Sequence, residues 1–118
     1  MARSTAQQLT AYERRYRALA AELAQIGYIS AGSLALRHNR CGKSSCHCHA
    51  DPPQLHGPYW QWTAKIDGKT VNRRLTPAQA QLYSDWIAND RRLRALIQQM
   101  REVANKAAEL RLAQAAEV

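Results

Sequence analysis

A chain of 118 residues with 46% hydrophobic and 22% charged residues fits one ordinary folded domain, covering 1–118, and excludes an intrinsically disordered protein. Seventeen Lys and Arg against nine Asp and Glu give a formal charge of +8, so the natural partner is a polyanion, nucleic acid first and an anionic membrane surface second. No apolar run approaches membrane-spanning length and the N-terminus has no apolar signal region, which predicts a cytoplasmic protein with no membrane insertion.

Ser4 and Thr5, followed three residues later by Gln7 and Gln8, offer two overlapping capping boxes at the start of a helix over 5–27. Within it Leu9, Tyr12, Tyr16, Leu19, Leu23 and Ile26 recur at alternating steps of 3 and 4, a coiled-coil-like stripe that Gly27 is placed to end. Phe is absent and much of the apolar content is alanine. The core is therefore expected to be thin, and to gain from a metal or a second copy.

Residues 29–75 read as a metal knuckle and a hairpin. A short strand through Leu34 and Leu36, with His38 on the same side, leads into Cys41. All three cysteines then fall in Cys41-Gly42-Lys43-Ser44-Ser45-Cys46-His47-Cys48, and His56 follows after the Asp51-Pro52-Pro53 loop. Three thiolates and one imidazole suit tetrahedral Zn2+ and leave no position open for substrate, so the site reads as structural. A disulfide framework would leave one cysteine over. In extended chain the sulfurs of Cys46 and Cys48 share a side that His47 and His49 do not. This favours Cys41, Cys46, Cys48 and His56 as ligands, with His38, His47 and His49 as alternatives for the fourth. Gly42 is expected at positive φ, so that backbone N–H groups can approach sulfur.

Asp67-Gly68 predicts a two-residue type I′ turn joining Tyr59–Ile66 to Lys69–Leu75. That register sets Ile66 opposite Lys69, Ala64 opposite Val71, Trp62 opposite Arg73 and Trp60 opposite Leu75. The tryptophans then share one apolar face, while Tyr59, Gln61, Thr63, Lys65, Thr70, Asn72 and Arg74 lie on the wet one. Thr76-Pro77-Ala78-Gln79 starts a long helix over 77–115, with Asn89-Asp90 as a place to break or bend. Leu82, Tyr83, Trp86 and Ile87 could cover the tryptophan face. Leu93, Leu96, Met100, Val103, Ala107 and Leu110 form a second stripe answering the first. The predicted fold is α+β: a small antiparallel sheet of two or three strands with a zinc knuckle, flanked by two long amphipathic helices in an antiparallel coiled-coil-like pair.

Gly-Ser-Leu at 32–34, Cys-Gly-Lys at 41–43, Cys-x-Cys at 46–48, His-Gly-Pro-Tyr-Trp at 56–60 and Gly68-Lys69-Thr70 together resemble a family of short bacterial proteins of unknown function, whose genes occur near transposases and other mobile elements. The resemblance covers roughly residues 29–100. It implies a zinc-binding module between helices, with Cys41, Cys46, Cys48 and His56 at the matching positions and no established activity. Here His47 and His49 stand where basic or small residues are more usual in that family.

The expected function is a zinc-stabilised nucleic-acid-binding module, accessory to or regulating a mobile element. Residues 27–76 hold seven Lys and Arg against two Asp. Arg37, Arg40, Lys43, Tyr59, Lys65, Lys69 and Arg74 are the candidate contacts: cations for phosphate and a ring to stack on a base. The alternative is a dimerising adaptor, a homodimer through its helices or a binder of a partner protein, with Leu93, Leu96 and Met100 carrying the contact and zinc purely structural. An enzyme is not expected. There is no Gly-rich phosphate loop and no carboxylate cluster, a fully ligated Cys3His zinc activates no water, and neither catalytic residues nor a small-molecule substrate are assigned.

Overall fold

The computed structural model describes residues 3–116. In chain order they form helix α1 (Thr5–Ala24), strand β1 (Ser33–Asn39), a single 3-10 turn at His47–His49, strands β2 (His56–Ile66) and β3 (Lys69–Leu75), and helix α2 (Pro77–Ala116). The strands make one antiparallel sheet in the order β1-β2-β3. The architecture is α+β, and the chain divides into two compact units. One joins the residues up to Ile29 with those from Asn89 on; the other is Ser30–Ala88. Among the described residues no helix is long and apolar enough to cross a membrane.

In the helical unit, the first of the two possible capping boxes is the one used. Ser4 Oγ accepts from Gln7 N at 3.2 Å while Gln7 Oε1 accepts from Ser4 N at 2.9 Å. Every member of both apolar stripes is at least partly buried, but only Leu19 and Leu96 are fully so. Arg15 donates to Gln99 at 3.2 Å and Arg92 pairs with Glu22 at 2.9 Å. These partners ascend in α1 as they descend in α2, so the contacts run in the antiparallel sense. Helix α1 stops at Ala24, short of Gly27, with Gln25 N donating back to the Glu22 carbonyl. Gly27 has a different use: a Cβ there would lie 3.2 Å from Asn89 Nδ2, and Asn89 donates to the Tyr28 carbonyl at 2.8 Å. Asn89 is thereby satisfied by a distant backbone acceptor, and α2 passes through Asn89-Asp90 without a break.

In the sheet unit, Asp67 (φ 51) and Gly68 (φ 78) both take positive φ, as a type I′ turn demands. The β2–β3 register follows from it: Trp60↔Leu75, Trp62↔Arg73, Ala64↔Val71 and Ile66↔Lys69. Thr76 caps α2 with the same reciprocal pattern as Ser4, Gln79 N to Thr76 Oγ1 at 3.2 Å and Thr76 N to Gln79 Oε1 at 2.9 Å. The helix presents Ala80, Tyr83 and Ile87, one face at steps of 3 and 4, to a core of Trp62, Ala64 and Leu75. Leu82 is off that face and half exposed. Trp62 is central. Its ring stacks on Tyr83 with centroids 4.7 Å apart, and its Nε1 donates to the Ala31 carbonyl at 3.0 Å.

Strand β1 departs from simple alternation. Leu34 packs against the core but Leu36 is 50% exposed, because the core centres on β2, β3 and the start of α2. A bulge between Arg37 and Asn39 then leaves His38 exposed and out of register with the leucines. Gly57 (φ +116) permits the close approach there, since a Cβ would meet the Arg37 carbonyl oxygen at 2.7 Å.

Candidate metal centre

The connection from β1 to β2 folds around its own cysteines. Asn39 and His56 are paired across the two strands, so residues 40–55 leave and re-enter the sheet at one end. Cys41 lies two residues past the end of β1, Cys46 precedes the 3-10 turn, Cys48 lies within it, and His56 is the first residue of β2. Their ligand atoms all lie within 4.8 Å of one another. Cys41 Sγ is 3.6 Å from Cys48 Sγ, and Cys46 Sγ is 3.2 Å from His56 Nε2. Donors at the corners of a tetrahedron, each sulfur ~2.3 Å from the centre, have sulfur–sulfur edges of about 3.8 Å and somewhat shorter sulfur–nitrogen edges. The four residues are therefore positioned to hold a metal ion.

The two closely spaced thiols differ in protonation. The backbone N–H of Cys48 lowers the Cys46 thiol to about 6, helped by the side chains of Cys41, Cys48 and His56 and opposed by burial. Burial pushes the Cys48 thiol up, and Cys48 is fully buried. To bind as a thiolate, Cys48 would need a compensating charge beside it, which a metal cation would supply. Cys41 N donates to Cys48 Sγ at 3.3 Å, so the first cysteine provides the amide-to-sulfur contact expected from the residue after it. Gly42 is not among the positive-φ glycines, and a Cβ there would meet nothing within 4 Å.

The other histidines take outer roles. His49 Nε2 lies 2.7 Å from the Cys41 carbonyl oxygen, bracing the backbone of a ligand in the manner of outer-shell contacts. His47 Nδ1 is 3.8 Å from Cys46 Sγ, and its ring centroid is 5.3 Å from that of His56. Cys46 and Cys48 converge through the 3-10 turn, with Cys46 N donating to the Lys43 carbonyl and His49 N to the Cys46 carbonyl, both at 3.0 Å. Cys46 is itself extended, but the 3-10 turn that starts at His47 replaces the extended chain expected from the spacing.

Of the seven residues predicted to meet nucleic acid, Arg37, Tyr59, Lys65 and Arg74 share the sheet face away from α2. The register pairs Arg37 with Tyr59 and Gln61 with Arg74, and the Arg74 guanidinium lies 4.2 Å over the Tyr59 ring. On the same face Asn72 Oδ1 accepts from Gln61 Nε2 at 2.9 Å and from Thr63 Oγ1 at 2.8 Å. Arg40 and Lys43 are exposed beside Cys41. Lys69 pairs with Ile66 and so belongs to the opposite face, as does Arg73, which donates to Tyr83 Oη at 3.2 Å and lies 5.9 Å from the Trp62 ring centroid. What the prediction lacked was the Gln61–Thr63–Asn72 network, although strand alternation already placed those three residues together. In the helical unit Leu93 and Met100 are half buried, while Leu96 is 0% exposed and has no free surface to offer a partner.

No curated protein and no solved structure matches this chain. One protein family does, over residues 9–84, from within α1 through the metal connection and the hairpin into the first turns of α2. The match takes in the whole Cys3His cluster and the whole sheet. The chain thus belongs to the family described as a domain of unknown function, DUF6788.

Proposed function

We propose that this protein is a zinc-stabilised nucleic-acid-binding module without enzymatic activity. Zinc is the natural occupant of a closed Cys3His set whose donor atoms lie within 4.8 Å of one another, and a thiolate-rich centre suits the reducing cytoplasm. The observation that carries the binding role is the composition of the sheet. Strands β1, β2 and β3 contain no Asp or Glu, and one face carries Arg37 and Arg74 beside Tyr59, with Lys65 farther along β2. Arg40 and Lys43 extend the same charge along the metal loop. An accessory or regulatory role for a mobile element, which the family resemblance implies, would use such a surface.

The test is a salt titration of the metal-loaded chain with labelled oligonucleotides. Affinity should fall log-linearly with salt, and Lys65→Glu with Arg74→Glu should weaken binding at least about tenfold and flatten the slope by about one for each phosphate contact removed. Undetectable binding at low salt, or binding indifferent to salt, would remove the proposal.

A second reading, an adaptor that dimerises through its helices, draws on the helical unit. Ten of the twelve stripe residues stay partly accessible there, and Leu9, Tyr12, Val103 and Ala107 line an open apolar groove. An adaptor of that kind would leave the salt titration without a signal.

A further inference from the structure

The basic sheet face also limits which nucleic acid it can take. Three strands ~4.8 Å apart make a backbone face about 10 Å across, within the ~12 Å width of a B-form major groove, so breadth alone does not decide between duplex and single strand. A duplex would offer this face phosphates and groove edges.

The groups on the face suit unpaired bases instead. Tyr59 and Arg74 form a stacked pair at 4.2 Å, and Arg74 is exposed, so a third planar ring can lie on the guanidinium as bases do on arginine planes. One row further along β2, the hydrogen bonds among Gln61, Thr63 and Asn72 use Gln61 Nε2 and both lone pairs of Asn72 Oδ1. That arrangement leaves Gln61 Oε1 as an acceptor and Asn72 Nδ2 as a donor with no partner among the described residues. An acceptor on one residue and a donor on its hydrogen-bonded neighbour complement the donor and acceptor groups of a base's Watson–Crick edge, which is available only when the base is unpaired. Arg37 flanks Tyr59, and Lys65 lies six residues beyond it, ~20 Å along the strand. The two cations bracket the platform as contacts to a running phosphate backbone.

Resting on the binding role proposed above, we infer that the ligand of this face is single-stranded nucleic acid, with one base stacked on the Arg74–Tyr59 pair and the next read by Gln61 and Asn72.

Fluorescence anisotropy of the full-length, metal-loaded protein tests it, with oligo(dT) and oligo(U) of about ten nucleotides against a mixed-sequence duplex of equal length. Single strands should bind at least about tenfold more tightly than the duplex. Tyr59→Ala should cost about tenfold for single strands, with metal content and circular dichroism unchanged, and Tyr59→Phe should restore most of it, since stacking needs the ring and not the hydroxyl. Equal or tighter duplex binding, or single-strand affinity indifferent to Tyr59→Ala, overturns the single-strand inference and leaves the binding role standing. Absence of binding to every probe overturns the binding role and this inference with it.

Discussion

Cys48→Ser should release the metal and abolish the folding transition of residues 30–88. Cys48 is the only fully buried residue of the metal connection; it accepts the Cys41 N–H and lies 3.6 Å from Cys41 Sγ. Structural zinc of this type contributes ~10–16 kcal/mol of apparent folding free energy at neutral pH. A whole domain is stable by only ~5–15 kcal/mol, so loss of the ion outweighs any repacking. Elemental analysis and thermal circular dichroism should show both losses together, and excess chelator should reproduce them in the unaltered chain. A serine variant that kept its metal and its melting temperature while losing oligonucleotide affinity would reverse the assignment and make the cluster itself the binding site.

Trp62→Ala has the next largest expected effect, about 3–5 kcal/mol lost from the same unit. The indole is 6% exposed and stacked on Tyr83, and that stacking is worth ~0.5–1.5 kcal/mol beyond its area. Removing it opens a cavity between β2 and α2 that the small neighbours Ala64 and Ala80 cannot close. The Ala31 carbonyl, which accepts from Nε1, would lose its partner as well. Urea denaturation followed by far-ultraviolet circular dichroism measures the loss. A shift under about 1 kcal/mol would mean that the tryptophan face is not the core of the unit.

The parts of this fold that could be read from the sequence are those governed by local rules. Asp67-Gly68 sufficed for the hairpin register, because a two-residue turn and a period of two leave no freedom in which residues face each other. Ser4 and Thr76 are capped by the glutamines three residues on, as the reciprocal hydrogen bonds require. The cysteine spacing with His56 picked out the four residues that the structure positions to hold a metal ion, since few chemistries bring three thiols and an imidazole into so short a segment.

Where the reading failed, a distant contact decided the outcome. Gly27 looked like a helix terminator, but its lack of a side chain serves the approach of Asn89. Asn89 looked like a breaker, but its amide is satisfied by Tyr28, 61 residues away in sequence. The bulge at His38 depends on Gly57 across the sheet, and neither residue announces the other. Lys69 stands near Lys65 in sequence yet lies on the opposite face, a separation the register implied but a count of nearby charges overlooked.

The unequal connections of the sheet have a consequence for the order in which it assembles. Two residues join β2 to β3, whereas residues 40–55 separate β1 from β2. The hairpin can therefore close on the ~1–10 μs scale of local structure, but β1 must wait for a longer loop whose closure is entropically costlier. Metal capture by Cys41, Cys46, Cys48 and His56 would shorten that loop. In metal-depleted protein, hydrogen exchange should quicken first in β1 and last in the hairpin. Arg37 travels with β1, so the supply of metal in the cell would govern how many molecules display a complete basic face.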